Sequence, residues 1–426
     1  MKLIFLINRI IDYNVYSRLI KYAIKYNHQV VCFHNYTIIK DPNRSHRFPF
    51  LYLNPFKNKV QTKKVYFNKN LYEELSKINF DLILTKTLPP ITENKEFIEK
   101  IRAKIFIVMD SLDIYDVCKD LKLYKNYKIK ILLWSFYFKK KLISYLKKYH
   151  YSSYLTIKRK AVVLYVVGHN YYNLKLNKEI IKRKLRIPRN KKVILYCPYA
   201  YDDNNVILSN KYWKVFFAGL NVDFFPRITN KSVNFLYNII KKTFLVIRSF
   251  IFSPHKMFKF FLIRSEYKIL EQISNFCKKN NYYLIVKSRK KYFSNLVYYK
   301  FGDSVFNDEQ TKFYPSLLQE IISITDLNIC YSSNVALEVS LMNIQTINIK
   351  TSKDDWPNKE FFEYWGYNNS FFNFRNLIKS YDLKDFKINL AKSKKRDFKK
   401  YTKTYLGSNY SEKNTFKIFK KELSKD

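Results

Sequence analysis

The residues with chemical potential cluster at a few strand-like ends. In "DLNICYSSNVALEVSL" (326–341) an apolar run stops at Ser332, Ser333 and Asn334, and the residues that follow have helical spacing. Hydroxyls and an amide at such a turn either cap a helix or bind an anion beside free backbone N–H groups. In the second case the helix dipole adds about half a positive charge. Glu338 follows about one and a half turns later, within reach of a ribose hydroxyl held at that turn. "LIVKSRKK" ends another apolar run on Lys287, Ser288 and Arg289, which is either a solvated turn or a cationic set for a phosphate. "ILYCPY" ends a third on Pro198 and Tyr199, with Asp202 and Asp203 just beyond. Two candidate general bases stand at other strand-like ends, Asp110 after "IFIVM" and His34 after "VVCF". Their plain alternatives are a helix cap and a loop residue.

The elements that must hold these turns follow a regular alternation. "KLIFLI" (2–7), "HQVVCF" (28–33), "DLILT" (81–85) and "KIFIVM" (104–109) read as short buried strands, with helical spacing at 14–26 and 93–102. Short apolar strands separated by helices predict a parallel sheet covered on both faces. The alternation restarts with "AVVLYVVGHN" (161–170), "KKVILYCPY" (191–199), a helix over 265–280, "YYLIVK" (282–287), a helix from Pro315, "DLNIC" (326–330) and "QTINIK" (345–350). The expectation is an α/β chain with two Rossmann-like doubly wound domains facing a cleft, in which ligands bind beyond the carboxyl ends of the strands. The domains are placed at 1–185 and 186–400, with a basic C-terminal helix at 401–426 packed across them. Two basic, aromatic stretches, 123–160 and an insertion at 203–264, stand outside the alternation. They read as amphipathic helices that either pack on the domains or dock on an anionic membrane surface.

Composition narrows the chemistry. Five glycines cannot write a GxGxxG or Walker loop, and neither zinc-type spacing nor a GxSxG elbow occurs. Neither metal nor cofactor is expected. The five cysteines are odd in number and scattered, which fits a reducing cytosol. The formal charge of +45 allows nucleic acid, a membrane or a polyanion as partner. Lys-rich, Gly-poor composition is also what AT-rich codons produce, and a specific nucleic-acid partner is not indicated. No stretch has the length of a transmembrane helix, and "MKLIFLINRI" is too short in its apolar part for a signal peptide.

In order along the chain, "KKVILYCPYAYDDN", "YYLIVKSRKK" and "YPSLLQEIISITDLNICYSSNVALEVSLMNIQTINI" resemble the carboxyl-terminal domain of the CDP-glycerol glycerophosphotransferase family and related surface-polysaccharide glycosyltransferases of GT-B fold. "LYVVGHNYYNL" (164–174) resembles the family's interdomain segment. The resemblance implies a nucleotide-activated donor, CDP-linked or another NDP compound, in the carboxyl-terminal domain and a glycan or lipid-linked acceptor in the amino-terminal one. Carried over by residue, Ser332 and Ser333 would bind the donor diphosphate, Glu338 the ribose, and Lys287 and Arg289 the leaving nucleotide. It also implies a cytoplasmic enzyme, peripheral at the inner face of the plasma membrane. Two departures bear on the donor: the family's His-Gly turn is absent, and its His-Pro turn is replaced by Ser288-Arg289. An activated sugar therefore stands beside a CDP-alcohol as donor. A non-catalytic basic scaffold on membranes or polyanions is the expectation from a different class.

Overall fold

The structure is a computed structural model that describes residues 1–37, 49–67, 69–101, 104–110, 114–169, 176–198, 266–288, 296–306, 315–331, 333–350, 372–382, 385–388, 395–408 and 410–425. The stretch at 203–264 lies outside the described residues.

Two all-parallel sheets carry the chain. The first has seven strands in the order β3-β2-β1-β4-β5-β6-β7: β1 (Lys2–Ile7), β2 (Gln29–Asn35), β3 (Gln61–Val65), β4 (Leu82–Thr85), β5 (Ile105–Val108), β6 (Lys130–Leu133) and β7 (Val163–Val166). The second has six in the order β10-β9-β8-β11-β12-β13: β8 (Lys192–Cys197), β9 (Tyr282–Lys287), β10 (Ser304–Phe306), β11 (Leu327–Tyr331), β12 (Gln345–Ile349) and β13 (Ile378–Tyr381). Period-two alternation sends β1 to two cores. Leu3, Phe5 and Ile7 face α1 (Tyr13–Lys25), whose Tyr16, Leu19 and Ile20 are buried there. Ile4 and Leu6 enter the opposite core. Apolar residues on both faces are what a strand covered by helices on both sides requires.

The opposite face of the first sheet is covered by α2 (Leu71–Ser76), α3 (Lys95–Ile101), α4 (Ile114–Cys118) and α5 (Phe136–Tyr149). A short α6 (Tyr151–Lys158) packs beside α5 and a 3-10 segment, Leu121–Tyr127. The basic stretch 123–160 is therefore no insertion. It supplies β6, α5 and α6 to the regular alternation, and the apolar face of α5 (Phe138, Leu142, Tyr145, Leu146) is buried in the core. That burial removes the face an amphipathic membrane helix would use.

Between the sheets, α7 (Lys178–Lys184) packs on α10 (Leu317–Ile324), where Lys184 Nζ donates to both Glu320 oxygens at 2.8 and 2.6 Å. The second sheet is covered on one face by α8 (Glu266–Asn280) through Ile269, Leu270, Ile273 and Cys277. Beyond α9 (Leu296–Phe301) and α11 (Val335–Ser340), the chain returns through α12 (Lys395–Tyr401) and a π-helical turn, Thr402–Leu406. It then lays α13 (Ser411–Leu423) back on the first sheet. Phe416 and Phe419 of α13 join the core beside α1. Glu412 pairs with Arg18 at 2.5 Å, and Glu422 accepts from Tyr165 at 2.6 Å and faces the buried Lys130 at 3.5 Å.

The two crossings between the sheets touch at glycines. Gly168 (φ +103°) follows β7, and Gly407 (φ +72°) follows the π turn. A Cβ on Gly407 would stand 2.1 Å from the Trp134 carbonyl oxygen, and one on Gly168 2.2 Å from that of Ser408. Only glycine accepts both the positive φ and that approach. The five cysteines are all free and buried.

Candidate active site

In the second sheet the chain leaves β8 for β9 on one side, while β11 lies on the other. This reversal opens the usual ligand crevice at the carboxyl ends of β8 and β11. Cys197 in β8 is level with Cys330 in β11, so Pro198 and the residues after Tyr331 leave the sheet side by side. Tyr196 is level with Val286 in β9, which puts Lys287 and Ser288 at the same edge. Pro198, Lys287, Ser288, Ser333 and Asn334 thus share one edge of three adjacent strands. Tyr199, Arg289 and Ser332 lie outside the described residues.

Local roles at this edge are specific. Lys287 is buried, and its ammonium donates to the Ser288 carbonyl at 2.8 Å, while Ser288 N donates to Phe306 O at 2.9 Å. These bonds pin the turn. Ser333 is half-buried, and its hydroxyl accepts from Val335 N at 3.4 Å, a long capping contact. Asn334 occupies the cap position with helical dihedrals and makes no side-chain cap bond. Glu338 is half-buried in the first turn of a helix of six residues, whose dipole is correspondingly small.

The first sheet repeats the topology with different chemistry. Its reversal lies between β1 and β4, and three charged side chains meet there. Lys86, directly after β4, places Nζ 3.0 Å from Asp12 Oδ1 and pairs with Asp110 Oδ2, directly after β5. The second Asp12 oxygen accepts the backbone N–H groups of Asn8 and Arg9 at 2.8 and 3.0 Å. Burial alone would lower the Lys86 pKa, but Asp110 and Asp12 outweigh it and the net shift is upward, so the ammonium stays charged. Around this core, Asn35 Nδ2 donates to Asn8 Oδ1 at 2.9 Å and Asn8 Nδ2 to Thr87 Oγ1 at 3.1 Å. The carboxyl ends of β1, β2, β4 and β5 are thus tied into one polar patch.

The two candidate bases separate. Asp110 belongs to this patch and is half-buried. His34 is fully buried, with Nδ1 2.5 Å from the Pro49 carbonyl and Nε2 2.7 Å from the Tyr13 hydroxyl. A carbonyl only accepts, so Nδ1 carries the proton and Nε2 accepts from Tyr13. Burial drops the His34 pKa to about 4. Both ring nitrogens are occupied by packing partners, so the geometry gives His34 a structural place. A further histidine, His169, lies beside Trp134 with ring centroids 4.4 Å apart, and burial lowers its pKa to about 3. Sequence reading passed over Asp12 and Lys86. The available signal was a lysine placed directly after the buried run "DLILT". Among the described residues no group of His, Cys, Asp and Glu could hold a metal ion, and no helix is long and apolar enough to cross a membrane.

Two doubly wound parallel sheets with a C-terminal helix returned to the first define the GT-B architecture. Among solved structures, the chain is similar to the wall teichoic acid polymerase TagF. For a histidine-to-alanine variant of that protein the TM-score is 0.51 at 11% identity, covering 100% of this chain and 89% of that one. For TagF itself the values are 0.50 and 11%, with the same coverage. A glycosyltransferase from Rickettsia africae gives 0.49 and 11%, covering 100% and 99%. At this identity the likeness establishes the fold. No protein-family profile matches the sequence, and no curated protein matches it.

Proposed function

We propose that this chain is a GT-B transferase that moves a glycerophosphoryl, alditol-phosphate or glycosyl group from a nucleotide-activated donor to a hydroxyl of a cell-surface glycan or lipid-linked acceptor. The observation that carries the reading is the shared edge of β9, β8 and β11. Three polar turns, at Pro198, Lys287-Ser288 and Ser333-Asn334, emerge there side by side at a topological reversal. The donor's diphosphate lies against the Ser332–Asn334 turn with Glu338 toward the ribose, and Arg289 offsets charge on the leaving nucleotide. Lys287, whose ammonium donates to the Ser288 carbonyl, holds this turn in place and adds positive charge beneath it.

The acceptor hydroxyl belongs at the polar patch of the first sheet. Asp110 takes its proton, and Lys86 orients that carboxylate as a positioning residue. The acceptor oxygen bonds to the donor's carbon or phosphorus as the bond to the nucleotide breaks. A nucleoside diphosphate leaves in glycosyl transfer and a monophosphate in glycerophosphoryl transfer. The fold likeness to TagF, whose structures include one soaked with CDPG, supports CDP-linked donors as the first to try. The test is a thermal-shift screen with CDP-glycerol, CDP-ribitol and UDP- and GDP-sugars. A true donor at a hundred times its Kd stabilises the fold by about 2.7 kcal/mol. If none raises Tm at millimolar concentration, the donor reading fails and the scaffold reading takes its place.

A further inference from the structure

Besides its polar patch, the carboxyl edge of the first sheet carries a cluster of aromatic rings at its β2–β3 end. Asn35 in β2 is level with Val65 in β3, so Tyr36 and Tyr66 leave the sheet side by side, with ring centroids 6.4 Å apart. Lys64, exposed on β3, sets its ammonium 4.9 and 5.3 Å from those two centroids. The 3-10 turn Leu51–Leu53 brings two more rings to the same place. Two bonds seat it: His34 Nδ1 donates to the Pro49 carbonyl at 2.5 Å, and Leu51 N donates to the Tyr36 hydroxyl at 3.3 Å. On either side of Leu51, Phe50 and Tyr52 stack with centroids 5.4 Å apart and planes 21° from parallel. Leu53 and Phe56 anchor the turn in the core beside α1, so the ring of Tyr52, 67% exposed, adds nothing to that anchoring.

A single exposed tyrosine is ordinary on a protein surface, but four rings gathered around a cation are a built feature. What it takes follows from its chemistry. An aromatic face is negative and apolar, and it packs against the C–H face of a pyranose while the sugar's hydroxyls stay in water. Lys64 already fills the space between Tyr36 and Tyr66, so a ligand cation has no place there. Its ammonium and that of the exposed Lys69 attract a carboxylate or phosphate instead, and residues 49–70 contain no Asp or Glu to oppose them. Position adds a second constraint. Neighbouring strands lie about 4.8 Å apart, so β2 stands about 14 Å from β5 and the Asp110 that follows it. One sugar ring does not span that distance, whereas an oligosaccharide does. The exposed Arg9 and the Asn35–Asn8 bond lie along the way.

We infer that the carboxyl ends of β2 and β3, with the Phe50–Tyr52 turn, form a ring-stacking subsite for an anionic oligosaccharide. The rings engage sugars several units away from the hydroxyl that reacts. The ligand's direction toward Asp110 rests on the transfer reading above, and its binding at the rings does not. A chain of charged sugar rings, rather than a polyol chain or a single lipid-linked sugar, is then the acceptor this domain holds best.

Calorimetry on the full chain tests the subsite with hexamers of galacturonic acid, of hyaluronan and of β-1,4-linked glucose. All three bind, the acidic two more tightly. Tyr52→Ala weakens each about tenfold, the scale of one aromatic stacking contact. Lys64→Gln weakens only the acidic hexamers, about threefold, and the difference closes as salt rises. Tyr299→Ala, which removes a ring 54% exposed on α9 beside the second sheet, leaves binding unchanged. Absence of binding by every hexamer at millimolar concentration overturns the subsite, and so does equal loss in Tyr52→Ala and Tyr299→Ala. Tighter binding of oligo(dT) than of any hexamer, weakened by Tyr52→Ala, makes the rings a nucleobase surface and also overturns it. Hexamer binding by a chain that no nucleotide donor stabilises keeps the subsite and removes the transferase. Donor stabilisation without hexamer binding does the reverse.

Discussion

The carboxyl edges of the two sheets occupy the same place in the same topology, yet they are built differently. In the first sheet a half-buried cation joins two carboxylates, and amides link three strand ends. In the second, the described turns hold one buried lysine bonded to a neighbouring carbonyl and a serine capping a short helix. A closed ion-pair network holds its geometry before any ligand arrives, as a proton acceptor requires. Turns of hydroxyls and backbone groups are suited to wrapping a phosphate. The difference teaches that the doubly wound fold supplies two crevices and leaves the side chains to divide the work between them.

The sharpest way to break the comparison is to remove the cation that makes the first edge a network. Lys86→Met strands Asp12, which is buried, beside a second carboxylate. Loss of one partner from a buried pair costs about 3–5 kcal/mol. Urea unfolding followed by hydrogen exchange should show that loss in β1, β4 and β5 and spare β8–β12. Equal protection loss in both sheets would mean that the network holds the whole molecule and not one edge.

The glycine crossing tests whether the sheets depend on each other. Gly407→Ala combines a positive φ with a Cβ 2.1 Å from the Trp134 carbonyl oxygen, for a cost of about 3 kcal/mol. Because the crossing serves both sheets, the loss should appear in both, unlike that of Lys86→Met.

Acid should separate the sheets again. His34 and His169 are neutral when folded, with pKa values near 4 and 3, against about 6.5 when unfolded. Below pH 6.5 the unfolded state binds protons that the folded state refuses. Stability is therefore full above that pH and falls as pH drops toward 4. Each histidine removes roughly 2 kcal/mol by pH 5. Both belong to the first sheet's side of the molecule, so hydrogen exchange at pH 5 should open β1, β2 and β7 ahead of β8 and β11. A uniform loss would sink this reading.

What the sequence made legible follows locality. β1, β4, β5, β8 and β9 announce themselves as almost wholly apolar runs, and β2, β11 and β12 are still legible although His34, Asn328, Thr346 and Asn348 interrupt theirs. β3 was missed because "QTKKV" is a polar edge strand, largely outside the core. β6 was hidden inside a basic stretch. It starts at Lys130, whose burial makes sense only when Glu422 arrives from the far end of the chain. Residues 123–160 leave domain packing and membrane docking equally open for the same reason, since the spacing shows an apolar face and not what covers it. Strand ends were readable, which placed Asp110 and the Pro198, Lys287 and Ser333 turns. The partnership of Lys86 with Asp12 joins residues 74 positions apart and has no local signature.

The smallest predicted effect bears on the serine turn, because there the two duties of a hydroxyl can be separated. As a cap, Ser333 contributes little: its contact with Val335 N is 3.4 Å, near the outer limit for a hydrogen bond. Ser333→Ala should therefore lower stability by at most about 0.5 kcal/mol, at the weak end of capping effects. As a phosphate ligand the same hydroxyl contributes a bond to a charged group, for which about 1.5 kcal/mol or more is typical, or roughly tenfold in Kd. Calorimetry with the donor found by thermal shift, on the wild type and on Ser332→Ala/Ser333→Ala, reads the second duty, and urea unfolding reads the first. A tenfold or greater loss of affinity with nearly unchanged stability makes the turn a ligand site that incidentally caps its helix. Unchanged affinity with a full capping loss would reduce the second edge to a well-formed turn. The asymmetry between the two sheets would then rest on the Lys86 network alone.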